Sequence, residues 1–193
     1  MLLDTWRAGD TNAGQELIRR HFDSVYGFFY TKCPGQADDL VQATFLACVQ
    51  SRDKFRGDSS FRTFLFSIAR HQLYDALTAA HRAATKLDFA VSSIVELVST
   101  PGTKLARLEE QRAVVLALQQ LPVEQQVLLE LHYWQELEIA QLAEVFDLNA
   151  AALRQRLHRA RTALQEVLVR QLPAQRVEIT ERLDCWVKDQ APR

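Results

Sequence analysis

Apolar residues recur along this chain at helical spacing, and no stretch alternates as a half-buried strand would. From about Thr11 to Thr31, the residues Leu17, Ile18, Phe22, Val25, Phe28 and Phe29 trace one helix face, and Cys33-Pro34-Gly35 ends it. Asp38 to Ser51 predicts a second helix that buries Val41, Phe45 and Cys48 and turns Asp39, Gln42, Leu46 and Gln50 the other way. A turn with capping residues over 54–60 leads into a long helix from Phe61 to about His81. Its core stripe is Leu65, Ala69, Leu73, Ala76 and Ala80; Phe64, Ser67, His71, Tyr74 and Thr78 lie opposite. The pattern weakens from Ala83 to about Thr103, where Ser99-Thr100-Pro101-Gly102 marks a linker. Helical spacing resumes from Lys104 to Gln120, and Pro122 opens a further helix with Val127, Leu128 and Leu131 on its buried side.

Residues Glu138 to Leu168 read as two helices joined by a tight turn. Ile139, Leu142, Ala143 and Phe146 fall at i, i+3, i+4 and i+7; Asp147-Leu148-Asn149 breaks the period, and Asn149 is placed to cap the next helix. The second helix repeats Leu153, Leu157, Ala160, Leu164 and Leu168 along its core face. At about 100° per residue, Ala151, Gln155, His158 and Thr162 point away from that stripe, with Arg154 and Arg161 on one flank and Arg156 and Arg159 on the other. Past Pro173, the residues Ile179, Leu183 and Trp186 predict a short amphipathic helix that caps the preceding core, contacts the first helices or recruits a regulator. The fold class expected from these periods is all-α.

Charge is unevenly spread, with a basic excess in two stretches. The whole chain carries a formal net charge of −1, yet Ala150 to Arg170 holds five Arg against one acid, Glu166. Short polar side chains between rows of guanidinium groups suit a helix in a DNA major groove, and the local excess is a polyanion footprint. From Arg52 to Lys86 there are seven Lys or Arg against three Asp, interleaved with Phe64, His71 and Tyr74. Basic and stacking side chains together are what a groove for unpaired bases requires; the plainer reading is that a neighbouring helix covers the aromatics. Leu46, set among Asp39, Gln42 and Gln50, is either a single exposed leucine or the apolar anchor of a docking face.

Composition excludes several classes. At 193 residues and 48% hydrophobic, the chain can bury one moderate core or two small ones. No stretch approaches a membrane span, and MLLDTWRAGD lacks a basic region followed by an apolar run, so a cytoplasmic protein without membrane insertion is expected. Cys33, Cys48 and Cys185 are far apart and never in CxxC spacing, which speaks against a disulfide framework or zinc site; Cys48 is expected in the core. His21, His71, His81, His132 and His158 are never paired at ligand spacing, and no nucleophile elbow, phosphate loop or paired-carboxylate motif occurs. No metal, cofactor or catalytic residue is therefore expected. His71 and Asp75, at i and i+4, are expected to share a surface hydrogen bond.

Three stretches, ADDLVQATFLACV (37–49), FRGDSSFRTFLFSIARHQLYDAL (55–77) and LQQLPVEQQVLLELHYWQELEIAQLAEVFDLNAAALRQRLHRARTAL (118–164), resemble in order and spacing the extracytoplasmic-function sigma factors, small two-domain members of the bacterial sigma-70-type family. The resemblance implies a sigma-2-like domain over 1–82, a linker over 83–103, a sigma-4-like helix-turn-helix domain over 104–168 and a C-terminal extension over 169–193. It implies core RNA polymerase as partner, through the β′ clamp coiled coil and the β subunit, with Asp38, Asp39, Gln42, Leu46 and Gln50 as docking residues. It implies promoter DNA as the second partner, melted at the minus-ten element by Arg62, Phe64, Arg70, His71 and Tyr74. Duplex at the minus-thirty-five element would be read by Arg154, Gln155, Arg156, His158, Arg159 and Arg161. An anti-sigma factor is a further partner that the resemblance admits. His71 stands where the family often has Asn, and Phe64 where Trp is common; both keep stacking capacity. A free-standing helix-turn-helix regulator of duplex operators is the second class considered; it has no use for Phe64, His71 and Tyr74 turned outward.

Overall fold

In the computed structural model, residues 2–52, 55, 59–80 and 109–189 are described, apart from the side chains of 109–111, Trp186 and Asp189. The described elements are helical throughout: α1 (Leu2–Arg7), α2 (Thr11–Tyr30), α3 (Ala37–Ser51), α4 (Phe61–Ala80), α5 (Glu109–Gln119), α6 (Val123–Tyr133), α7 (Ile139–Phe146), α8 (Ala150–Gln171) and α9 (Arg176–Asp189). Single 3₁₀ turns at Pro34–Gln36 and Pro173–Gln175 link α2 to α3 and α8 to α9. The expected linker, the start of the helix expected from Lys104, and His81 lie outside the described residues.

The first four helices form one packed unit. Asp10 caps α2 by accepting from the backbone N–H groups of Asn12 at 2.9 Å and Ala13 at 3.3 Å, which satisfies two donors the helix leaves orphaned. Phe28 and Phe29 from α2, Val41, Phe45 and Cys48 from α3, and Leu65, Phe66, Ala69, Leu73 and Leu77 from α4 fill its interior. Burying each such large side chain is worth roughly 1.5–3 kcal/mol, and burial also pushes the Cys48 thiol up to about 12. The α4 stripe differs at its end from the sequence expectation: Leu77 closes it, while Ala80 in the last turn is exposed. Helix α1 carries no periodic signal because it is too short for one. It is held by Trp6, which lies so close over Gly14 that a Cβ there would collide with the indole ring.

The second unit comprises α5 to α8, with α9 laid against it. Asp147, at φ 54°, takes the left-handed conformation that ends α7 and reverses the chain, one of the few non-glycine residues that accept it readily. Asn149 then caps α8 by accepting from Ala152 N at 2.8 Å. Leu153, Leu157, Ala160, Leu164 and Leu168 are buried as their spacing requires. In α9, Ile179, Leu183 and Val187 face the core; the Trp186 side chain, expected in that stripe, lies outside the description.

The two units pack on each other. Fully buried Lys32, just past α2, donates to Phe28 O at 2.7 Å and Thr31 Oγ1 at 3.1 Å and forms an ion pair with buried Glu130 of α6. Gln119 at the end of α5 donates to Thr31 O at 2.8 Å. Three donors on one ammonium thus meet three acceptors, which a buried charge requires if its desolvation is to be offset.

Candidate nucleic-acid interface

Helix α8 presents the face its sequence implies. Arg154, Gln155, His158, Arg159 and Thr162 are exposed, opposite the buried leucines, and Arg154 and Gln155 lie within two turns of the Asn149 cap, the end at which a recognition helix makes its base contacts. The arginines divide. Arg156 is exposed but ion-paired with Glu124 of α6, and half-buried Arg161 is ion-paired with Asp184 of α9. No ion pair joins Arg154 or Arg159 to a described residue. Neither carboxylate partner is legible in a helical wheel, because each comes from a different helix.

The minus-ten candidates of α4 are brought together, but most of them face the second unit. Arg62 donates to Gln135 Oε1 at 2.8 Å across the contact. The Arg70 guanidinium lies 5.3 Å from the Tyr74 ring centroid and 5.1 Å from that of Phe146 in α7. Desolvation lowers the Arg62 pKa and raises that of the Tyr74 hydroxyl. Phe64 is half-buried in a cluster with Phe55 at 4.6 Å and Phe61 at 6.5 Å. His71 alone of the five is exposed, and its ring bonds Ser67 O at 2.7 Å through Nδ1, in place of the expected Asp75. Helical side chains lean toward the preceding turn, which brings the i−4 carbonyl within reach. The Nε atoms of Arg62 and Arg70 are buried with no hydrogen-bond acceptor among the described residues. Such orphaned donors cost about 1–3 kcal/mol each, so this contact between units is imperfectly satisfied.

On α3, Asp38, Asp39, Gln42, Leu46 and Gln50 are all exposed. Leu46 is 57% accessible and Val49, at i+3, is 43% accessible, so the leucine does not stand alone. Phe22 of α2 is also exposed, stacked on Phe45 with ring centroids 6.4 Å apart. Sequence pattern does not single out Val49 and Phe22, because each also fits the buried stripe of its helix. The apolar surface is therefore a patch, which marks an interaction site more firmly than a single side chain does.

Among the described residues, no cluster of His, Cys, Asp and Glu has metal-binding geometry, and no helix is long and apolar enough to cross a membrane. A family model for sigma-70 region 2 matches residues 17–83, and one for sigma-70 region 4 matches residues 111–164. The chain is 28% identical over 174 residues to the ECF RNA polymerase sigma-E factor of Haemophilus influenzae, covering 85% of this chain and 92% of that protein. Among solved structures it resembles CnrH in complex with the cytosolic domain of CnrY, with a TM-score of 0.63 at 25% identity, covering 86% of this chain and 94% of the other. RpoE in complex with the anti-sigma factor NepR from Bartonella quintana shares the fold, with a TM-score of 0.63 at 20% identity over 80% of this chain and 95% of that one.

Proposed function

Because the chain belongs to the extracytoplasmic-function branch of the sigma-70 family, we propose that it docks on core RNA polymerase through α3, opens the minus-ten element on α4 and reads the minus-thirty-five duplex with α8. It is a promoter-specificity factor for transcription initiation; catalysis stays with the polymerase, and the chain works in the cytoplasm. The carrying observation is that one chain holds, in the region 2 and region 4 order, a charged and aromatic helix suited to unpaired bases and an exposed arginine-lined helix suited to duplex. A free-standing regulator leaves the region 2 match unexplained. The test is reconstitution: the purified chain added to bacterial core polymerase is expected to yield run-off transcripts from promoters selected out of a random library. Core polymerase alone should give none, and transcripts independent of the added chain would refute the reading.

While Phe146 lies against Arg70, an unpaired base has no access to the Arg70–Tyr74 stack, so strand opening requires the two units to part. The unsatisfied Arg62 and Arg70 nitrogens lower the cost of parting, since water or phosphate satisfies them once exposed. His71 is already accessible. With His71→Ala, open-complex formation is expected to fall while closed-complex binding holds, as read by permanganate reactivity of melted thymines; equal reactivity would remove His71 from the set.

Duplex reading divides between base and phosphate. Gln155 and His158 point straight outward one turn apart, so Gln155→Ala or His158→Ala should cost about 1–3 kcal/mol on a selected duplex and little on a scrambled one. Arg159→Ala should weaken both alike and reduce the salt slope by roughly one ion. A salt series on selected and scrambled duplexes separates the two. A change of sequence preference in Arg159→Ala alone would mean that the helix is rotated in the groove.

A further inference from the structure

Helix α9 lies beyond the region 4 match and packs along the flank of α8 that carries Arg161. Three contacts fix its position besides its buried apolar face. Tyr133 of α6 donates to Asp184 Oδ1 at 2.5 Å, Trp134 Nε1 donates to Val187 O at 3.2 Å, and Gln165 of α8 donates to Thr180 O at 3.2 Å. Asp184 Oδ2 takes the Arg161 guanidinium. The cleft between the helices has His158, Arg161 and Thr162 on one wall and Glu181 and Asp184 on the other. The candidate duplex-reading face therefore borders directly on two carboxylates that the extension supplies.

We infer that Asp184 is a positioning residue for duplex binding: it holds the Arg161 guanidinium away from the phosphate backbone, so contact at this flank proceeds by exchange of a carboxylate for a phosphate oxygen. The inference rests on the reading of α8 as a duplex-binding helix. Both partners are substantially exposed, with side-chain accessibilities of 37% for Arg161 and 49% for Asp184. An exposed pair of this kind holds an arginine only weakly, so a phosphate can displace the carboxylate. Tyr133 anchors the other carboxylate oxygen, so Asp184 remains beside the groove after the exchange and opposes the incoming phosphate. The opposite flank repeats the device, with Glu124 on Arg156. Of the four arginines from 154 to 161, Arg154 and Arg159 are left with no ion pair to a described residue, which limits sequence-independent affinity and leaves more of the discrimination to Gln155 and His158.

The experiment uses the full chain on bacterial core polymerase, with a duplex enriched from a random library and a scrambled control, titrated across a salt series. Asp184→Asn preserves an acceptor for Tyr133 and removes the charge. It is expected to bind both duplexes several-fold more tightly at low salt, with a salt slope steeper by up to about 0.9, because Arg161 then neutralises a phosphate with no carboxylate beside it to offset the counterion release. Asp184→Glu should restore wild-type behaviour, and Arg161→Ala in the Asp184→Asn background should abolish the gain. An unchanged slope, a loss of affinity matching Arg161→Ala, or a gain that survives without Arg161 would each overturn the inference while leaving α8 a duplex reader. Failure of the wild-type chain to enrich any duplex over core polymerase alone would overturn the reading of α8 and this inference with it.

Discussion

Alanine in place of Glu130 is expected to part the two units without unfolding either. Lys32 is fully buried, its pKa lowered by desolvation and partly restored by Glu130; the Glu130 pKa is raised by desolvation and partly lowered by Lys32. Removing one member of such a pair leaves a buried charge without its counterion, a loss of about 3–5 kcal/mol. The pair sits between units, so the stranded ammonium can return to water by separation of the interface, while the interior built on Phe28, Phe66 and Leu73 stays closed. Small-angle scattering should show a larger radius of gyration for Glu130→Ala with helical circular dichroism unchanged. Lys32→Met combined with Glu130→Leu replaces both charges by apolar groups and should keep the compact form, since buried pairs are often neutral or unfavourable relative to hydrophobic replacements. A compact Glu130→Ala protein of wild-type thermal stability would show that the pair does not hold the units together.

That pair also shows where sequence reading stops. Periodicity locates α2 to α4 and α6 to α8 because each buries a stripe of its own, and the Asn149 cap and the outward face of α8 follow from spacing within one helix. Lys32 and Glu130 are 98 residues apart, and nothing local in Lys32-Cys33-Pro34 or Leu129-Glu130-Leu131 marks them as partners. The same holds for Glu124 with Arg156 and Asp184 with Arg161, where a wheel places the arginine but not the acid that takes it. Spacing places Phe64, His71 and Tyr74 on the face of α4 opposite its core stripe and leaves open whether a neighbouring helix covers them. That Phe146 lies against Arg70 on this face is not visible in sequence, because Phe146 belongs equally well to the buried stripe of α7. Helix α1 escapes detection because six residues are too few to repeat a period.

Arginine in place of Leu46 is expected to leave the fold intact and to weaken binding to core polymerase by about 2 kcal/mol or more. A side chain 57% accessible contributes little to the interior, and substitutions at such positions usually shift stability by no more than about 0.5 kcal/mol. In an interface the same leucine would sit centrally. Val49 extends the apolar patch by one turn, while Asp38, Asp39, Gln42 and Gln50 surround it with groups able to stay hydrated at a rim. Anchors in such a setting carry most of the binding free energy, whereas rim residues are nearly neutral when truncated. Gln50→Ala should therefore change affinity by less than about 1 kcal/mol, which makes it the internal control for Leu46→Arg. Arginine also brings a desolvation cost and a charge into an apolar contact, so its effect should exceed that of Leu46→Ala. Fluorescence titration of labelled protein with core polymerase, run beside thermal melts of the free variants, reads binding and stability separately. Equal affinity for wild type and Leu46→Arg would move the docking surface off this face of α3.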